Sequence, residues 1–328
     1  MPRTNLVFFH GMGVQDPGYH QAVWDFLVEK HQAIAGSDLR ATCTPKAFFY
    51  HDIFTELRQA GSLDILRPLI QDAGALKAIE DLQASNAFLY THVLDVLAWR
   101  FHAPTRNRII TKLAAELMPF IQTLPKSPDN NLVVVGHSLG TAVATEVIHY
   151  LGTHGVSEFQ LIPAVHMLAD VAKVLEQPEV PAYRPPTPSL CRPWTQDPED
   201  RAMLLNYFNH RNELDPIPLV DRFRPPEWPK TYHETVFRSW GEQVQPHDLL
   251  TYVRAPAVYV KLLRSITQDG ATYSAAREQL ELQATPPSSP LGAERQAKFE
   301  QLATQYEDAS TLGDFIQLGR AFSDSNLW

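Results

Sequence analysis

The stretch NLVVVGHSLGTAVATEVIHYL, residues 131 to 151, decides the fold. Leu132 to Val135 form an uninterrupted apolar run, which a strand buried on both faces requires. From Leu139 the pattern changes: Leu139, Val143, Val147 and Leu151 recur every four residues, the spacing of one face of a helix. Strand gives way to helix almost at once, with Ser138 at the apex of the turn. So tight a turn strains the residue at its apex and leaves no room for side chains beside it. Gly136 and Gly140 supply that room.

Outward from this turn, apolar runs of strand length alternate with helical stretches, the pattern of a parallel sheet covered by helices. The candidate strands are Asn5 to Phe9, Thr42 to Tyr50, Leu132 to Val135, Leu161 to Leu168, Met203 to Phe208 and Thr235 to Trp240. Between the second and third, residues 53–124 are rich in Leu, Ala and Ile at helical spacing and read as a helical insertion. Pro104 opens its last long helix, where proline is tolerated. QPEVPAYRPPTPSLCRPWTQDP, residues 177–198, is too proline-dense for helix or inner strand and is expected to be a loop. Residues 1–268 are expected to form the main α/β domain. Residues 269–328, polar after Ile266, are expected to form a helical tail without a core of its own.

Composition narrows the class. A chain of 328 residues with 44% hydrophobic content can bury a large core, and none of its apolar runs reaches the length of a membrane span. The net charge of -9 is spread along the chain without a Lys/Arg block, so a nucleic-acid partner has no electrostatic footprint. Cys43 and Cys191 lie far apart, and the thirteen histidines include no HExxH motif, so neither a disulfide framework nor a metal is expected. No cofactor is expected either. The opening MPRTNLVFFHG has too short an apolar core for a signal peptide, which leaves the cytoplasm as the expected compartment.

The strand–Ser138–helix turn places a hydroxyl at the C-terminal edge of the sheet, where open α/β folds bind ligands. The Leu139 N–H, at the start of the helix, can face negative charge developing on a substrate carbonyl oxygen. LVFFHGMG, residues 6 to 13, ends a second buried strand in a glycine turn, and Gly11 lets its backbone approach closely. The Met12 N–H is the expected second donor to the same oxygen.

HGMG followed by GHSLG resembles the α/β-hydrolase fold in its lipase and esterase branches, including lipases with a single glycine before the oxyanion residue. The resemblance implies a reduced α/β-hydrolase fold, since the strands that usually precede the His-Gly strand are missing. It also implies a triad in the order Ser, acid, His. Asp215-Pro-Ile-Pro is similar to the segment that bears the acid in class 3 lipases, and its prolines fix the backbone beyond the carboxylate. Asp170, after an earlier strand, is the rival acid. Beyond the acid only His233 and His247 fit the order, and His247, in a loop after the last strand, is the expected base. His10 is expected to be a structural hydrogen-bonder beside the oxyanion loop.

The activity implied is that of a serine esterase or lipase acting on a small-molecule or lipid ester through an acyl-enzyme on Ser138. A thioesterase, amidase or acyltransferase would use the same atoms, and the fold also occurs in proteins that bind ligands or partners without turnover. Phe48, Phe49, Tyr50, Ile53 and Phe54 end the second strand and open the insertion near the same sheet edge. They would either wall an apolar acyl pocket or pack the insertion onto the sheet.

Overall fold

A computed structural model describes residues 3–12, 15–70, 76–77, 79–81, 87–123, 130–153, 164–172, 206–215, 217, 232–240, 246–283, 293–305, 317–318, 321 and 325. The expected loop 177–198 and Cys191 lie outside them. Six strands form one sheet: β1 Arg3–Phe9, β2 Cys43–Phe48, β3 Asn130–His137, β4 Ala164–Leu168, β5 Asn206–Asn212 and β6 Tyr232–Phe237. Their order is β2-β1-β3-β4-β5-β6, and every neighbouring pair is parallel. The fold is therefore α/β, as the alternation of runs predicts.

The strand bounds all shift by a few residues from those expected, and two shifts matter for the site. β5 continues past Phe208 to Asn212, and β6 starts earlier, at Tyr232. Hydropathy hides the extension, because Asn209, His210 and Asn212 are polar and yet buried. Pro45 sits in β2, whose one partner is β1, and an edge strand tolerates the missing N–H.

Among the described residues the α-helices are α1 Gln21–Ala35, α2 His51–Gln59, α3 Ser62–Leu66, α4 Ala87–Phe101, α5 Ala103–Ile121, α6 Leu139–Thr153, α7 Leu249–Arg254, α8 Pro256–Thr267, α9 Gly270–Gln283 and α10 Ala293–Gln305. Strand residues alternate between two cores. Leu6, Phe8, Val133 and Val135 join Leu27 of α1 and Leu262 and Leu263 of α8 on one face. Val7, Phe9, Leu132 and Val134 join Leu97 and Leu113 of the insertion and Val143 and Val147 of α6 on the other. Cover on both faces explains why the strand runs are apolar throughout rather than alternating. Residues after 268 share these cores. Tyr273 of α9 is buried with the first, and Phe299 and Leu302 of α10 with the second.

The topology also locates a crevice. From β1 the chain passes to β2 on one side, then crosses back through the insertion to β3 on the other. The point between the C-terminal ends of β1 and β3 is where the winding reverses, and such switch points leave room for ligands. Residues 10–12 and Ser138 emerge there.

Close packing at this point depends on Gly140. A Cβ at that position would stand 2.3 Å from the Phe9 carbonyl oxygen and 2.4 Å from that of His10, both backbone atoms unable to swing aside. Gly140→Ala is therefore expected to cost at least about 2 kcal/mol, read as a lowered urea midpoint with an unchanged slope. An unshifted midpoint would contradict the seating of α6 on the end of β1.

Candidate active site

Ser138 is the single residue between β3 and α6, and its φ of 53° lies in the left-handed region. For a residue with a Cβ this costs roughly 1–3 kcal/mol, and glycine would relieve it. The turn is held from both sides: the Ser138 N–H donates to the Leu168 carbonyl at 2.9 Å, and its carbonyl accepts from Thr141 N at 2.9 Å and Thr141 Oγ1 at 2.7 Å. A strained serine kept where glycine would be easier points to the hydroxyl as the reason.

The chain brings two distant side chains to that hydroxyl. His247 Nε2 lies 2.9 Å from Ser138 Oγ, and His247 Nδ1 lies 2.7 Å from Asp215 Oδ2. Asp215 is fully buried. Its Oδ2 also accepts from the Tyr252 hydroxyl at 2.6 Å, and its Oδ1 accepts from Ile217 N at 2.9 Å. Burial, with the Asp215 carboxylate beside it, pushes the Tyr252 phenol well above its ordinary range, so it stays a donor.

Three further groups hold these loops. Asn212, the last residue of β5, donates through Nδ2 to the Ser239 carbonyl at 2.6 Å and the Pro246 carbonyl at 3.0 Å, and its Oδ1 accepts from Ser239 N and Leu214 N. It thereby joins the Asp215 loop to the residue preceding His247. Asp248 caps α7 by accepting from Leu250 N and Thr251 N, which fixes the residue after His247. The His137 ring donates through Nε2 to the His247 carbonyl at 2.8 Å. Neither Asn212 nor Tyr252 is visible in the sequence as a site residue, because each is recognisable only by what it bonds across the fold.

The rival residues are placed elsewhere. Asp170 follows β4 and is buried. It accepts from the Tyr207 hydroxyl and from Ala172 N, and burial raises its carboxyl pKa. His233 stands near the start of β6, where its Nε2 donates to Asn206 Oδ1 at 3.2 Å. Of the two expected oxyanion residues, Leu139 begins α6 and Met12 is buried in the loop after β1. A Cβ on Gly11 would stand 3.2 Å from Ser138 Cβ, so this loop lies directly against the turn.

Set against known proteins, the chain matches no family model, and a search of curated proteins finds no match. Among the described residues no group of His, Cys, Asp and Glu side chains is placed to hold a metal, and no helix is long and apolar enough to cross a membrane.

Phe48, Tyr50, Ile53 and Phe54 are all buried in the core between insertion and sheet. Phe49 is only partly buried, and Phe54→Ala separates packing of the insertion from an acyl-pocket role. The substitution is expected to cost about 3–5 kcal/mol of stability while leaving the ratio of activities on acetate and hexanoate esters unchanged. A shifted chain-length ratio in a stably folded variant would instead make Phe54 part of an acyl pocket.

The histidines around the sheet carry a further consequence. His10 stacks on Tyr50 at 3.8 Å, its Nδ1 donating to the Gly11 carbonyl at 2.7 Å and its Nε2 accepting from Tyr50 N at 3.3 Å. Burial lowers the pKa of His10, His137 and His166 to about 3, and pushes His210, against His166, well below the ordinary value. The folded state holds all of them neutral, whereas the unfolded chain protonates near pH 6.5. Below that pH unfolding takes up protons, so stability falls as pH drops, by about 1.4 kcal/mol per pH unit for each histidine. Asp170, whose raised pKa acts in the opposite sense at lower pH, offsets part of this. The melting temperature is expected to fall steeply from pH 7 to pH 5. A flat profile would mean that these rings are protonated in the fold.

Proposed function

We propose that the protein is a serine hydrolase of the α/β-hydrolase type that cleaves carboxylic esters through an acyl-enzyme. The observation that carries this reading is the continuous hydrogen-bonded path from Ser138 Oγ through His247 to the buried Asp215. It starts from a hydroxyl held in a strained turn at the switch point of the sheet.

The steps follow from these positions. Ser138 Oγ attacks the carbonyl carbon while its proton passes to His247 Nε2, and Asp215 Oδ2 keeps the Nδ1 proton in place and offsets the charge of the imidazolium. The carbonyl oxygen becomes an oxyanion, received by the backbone N–H groups of Met12 and Leu139. Collapse of the tetrahedral intermediate breaks the ester bond, and His247 Nε2 returns its proton to the leaving alkoxide. Water then repeats the sequence on the acyl-enzyme, with His247 again as base, and releases the acid. Tyr252 donates to the same Asp215 oxygen as His247 and so restrains the carboxylate rotamer rather than touching substrate.

Incubation with a fluorophosphonate probe followed by peptide mapping tests this reading. A single adduct on Ser138, blocked by Ser138→Ala, is the expected result. No labelling of the folded protein would reject the hydrolase and leave a module that binds a ligand or partner without turnover.

A further inference from the structure

A second concave site lies at the opposite edge of the sheet. A cavity of about 770 Å³ is lined there by Ala164, Asn206 and His233, from the starts of β4, β5 and β6, and by side chains of α8 and α9. Ser138 bonds to Leu168 at the far end of β4, so the two sites stand roughly 13 Å apart along that strand at ~3.3 Å per residue. The volume falls within the range of small-molecule sites.

Its chemistry is one-sided. Lys261, Arg264 and Arg277 line it, and none of the described lining residues is Asp or Glu, although acidic residues outnumber Lys and Arg by 37 to 28 in the chain. The turn from α8 to α9 gathers these cations: Lys261 and Arg264 are three residues apart on one helix, as are Ser274 and Arg277 on the next, and so share faces. The Arg264 guanidinium lies beside the start of α9, its Nη2 3.5 Å from where a Cβ on Gly270 would stand. Lys261 Nζ is fixed by donating to Thr235 Oγ1 at 2.6 Å. The Ser274 hydroxyl adds a further donor, whereas the Ser265 hydroxyl donates to the Lys261 carbonyl at 3.0 Å and the Tyr273 hydroxyl is bonded to His31 Nδ1. One wall is a ladder of rings, Phe208 stacked between His233 at 4.7 Å and His166 at 4.4 Å. His233 registers the local field: burial chiefly, then the charges of Lys261 and Arg264, lower its pKa.

We propose that this cavity binds a small phosphate-bearing molecule at a site separate from Ser138. Two guanidinium forks, the Lys261 ammonium and the Ser274 hydroxyl supply several donors to one concavity, which suits a compact oxyanion rich in acceptors. The edge of the stacked Phe208 ring offers an apolar contact to the organic part of the molecule.

Calorimetric titration of the full chain with inorganic pyrophosphate, at ionic strength held constant with chloride, tests the proposal. One saturable site is expected. Arg264→Gln with Arg277→Gln, both exposed side chains, should weaken binding at least about tenfold, since each charge-assisted contact carries more than that factor. Ser138→Ala should bind as tightly as the parent. Ser274→Ala, which removes no charge from the fold, should also weaken binding and serves if the double variant melts early. No saturable heat, or undiminished binding in the arginine and serine variants, would overturn the site. Citrate binding as tightly as pyrophosphate would overturn the assignment to phosphate.

Discussion

Replacing Ser138 by alanine is expected to lower kcat/KM for a p-nitrophenyl ester by roughly 10⁵- to 10⁶-fold, the scale on which triad members act as a unit. The folded state should be nearly untouched, because alanine keeps a Cβ in the same left-handed conformation and the turn is held by backbone bonds to Leu168 and Thr141 that do not involve Oγ. His247→Ala should produce a loss of the same order, and the double substitution should be scarcely worse than either single one, since without the base the hydroxyl is no better than that of water. Steady-state kinetics beside a thermal melt check both halves. Appreciable turnover in purified Ser138→Ala would remove Ser138 from the chemistry. A fall in activity that tracks loss of folded protein would make its role structural.

The second large effect separates the two acids. Asp215→Asn is expected to lower kcat by about 10⁴-fold, because the amide that replaces the carboxylate can present a donor to His247 Nδ1 and favour the wrong imidazole tautomer. The same change removes the acceptor for the Tyr252 hydroxyl. Asp170→Asn should leave kcat within about tenfold of the parent, since its carboxyl is bonded to Tyr207 and Ala172, and its effect should fall on stability instead. Activity lost in Asp170→Asn and retained in Asp215→Asn would reverse the assignment.

Local patterning carried the architecture. The strand-to-helix switch across residues 132–151, the glycines around Ser138 and the alternation of apolar runs are all short-range features, written within a few residues of each other, and they specify a parallel α/β sheet with a serine at its edge. The extension of β5 through Asn209, His210 and Asn212 was not legible, because these polar residues are buried against partners on β4, on β6 and in the segment between β6 and His247. The place of residues 270–305 in the two cores depends likewise on faces formed elsewhere in the chain.

The site divides along the same line. Ser138 was identifiable from its own turn, since the strain that exposes it is a property of adjacent residues. Asp215 was favoured over Asp170 by its Asp-Pro-Ile-Pro segment and His247 over His233 by its loop after the last strand, but neither signal says which carboxylate and which ring meet. That was decided by where the strands end: Asp215 and His247 leave the same edge of the sheet as Ser138, while His233 stands near the opposite edge and the Asp170 carboxyl is taken by Tyr207 and Ala172. Sequence by itself thus determined the fold class, the approximate strands and the nucleophile candidate, because each is marked by a pattern among near neighbours. Only the tertiary structure chose the partners of Ser138, the supporting roles of Asn212 and Tyr252, and the cationic cavity at the far edge, because hydrogen bonds and charge clusters between residues a hundred positions apart exist only once the chain is packed.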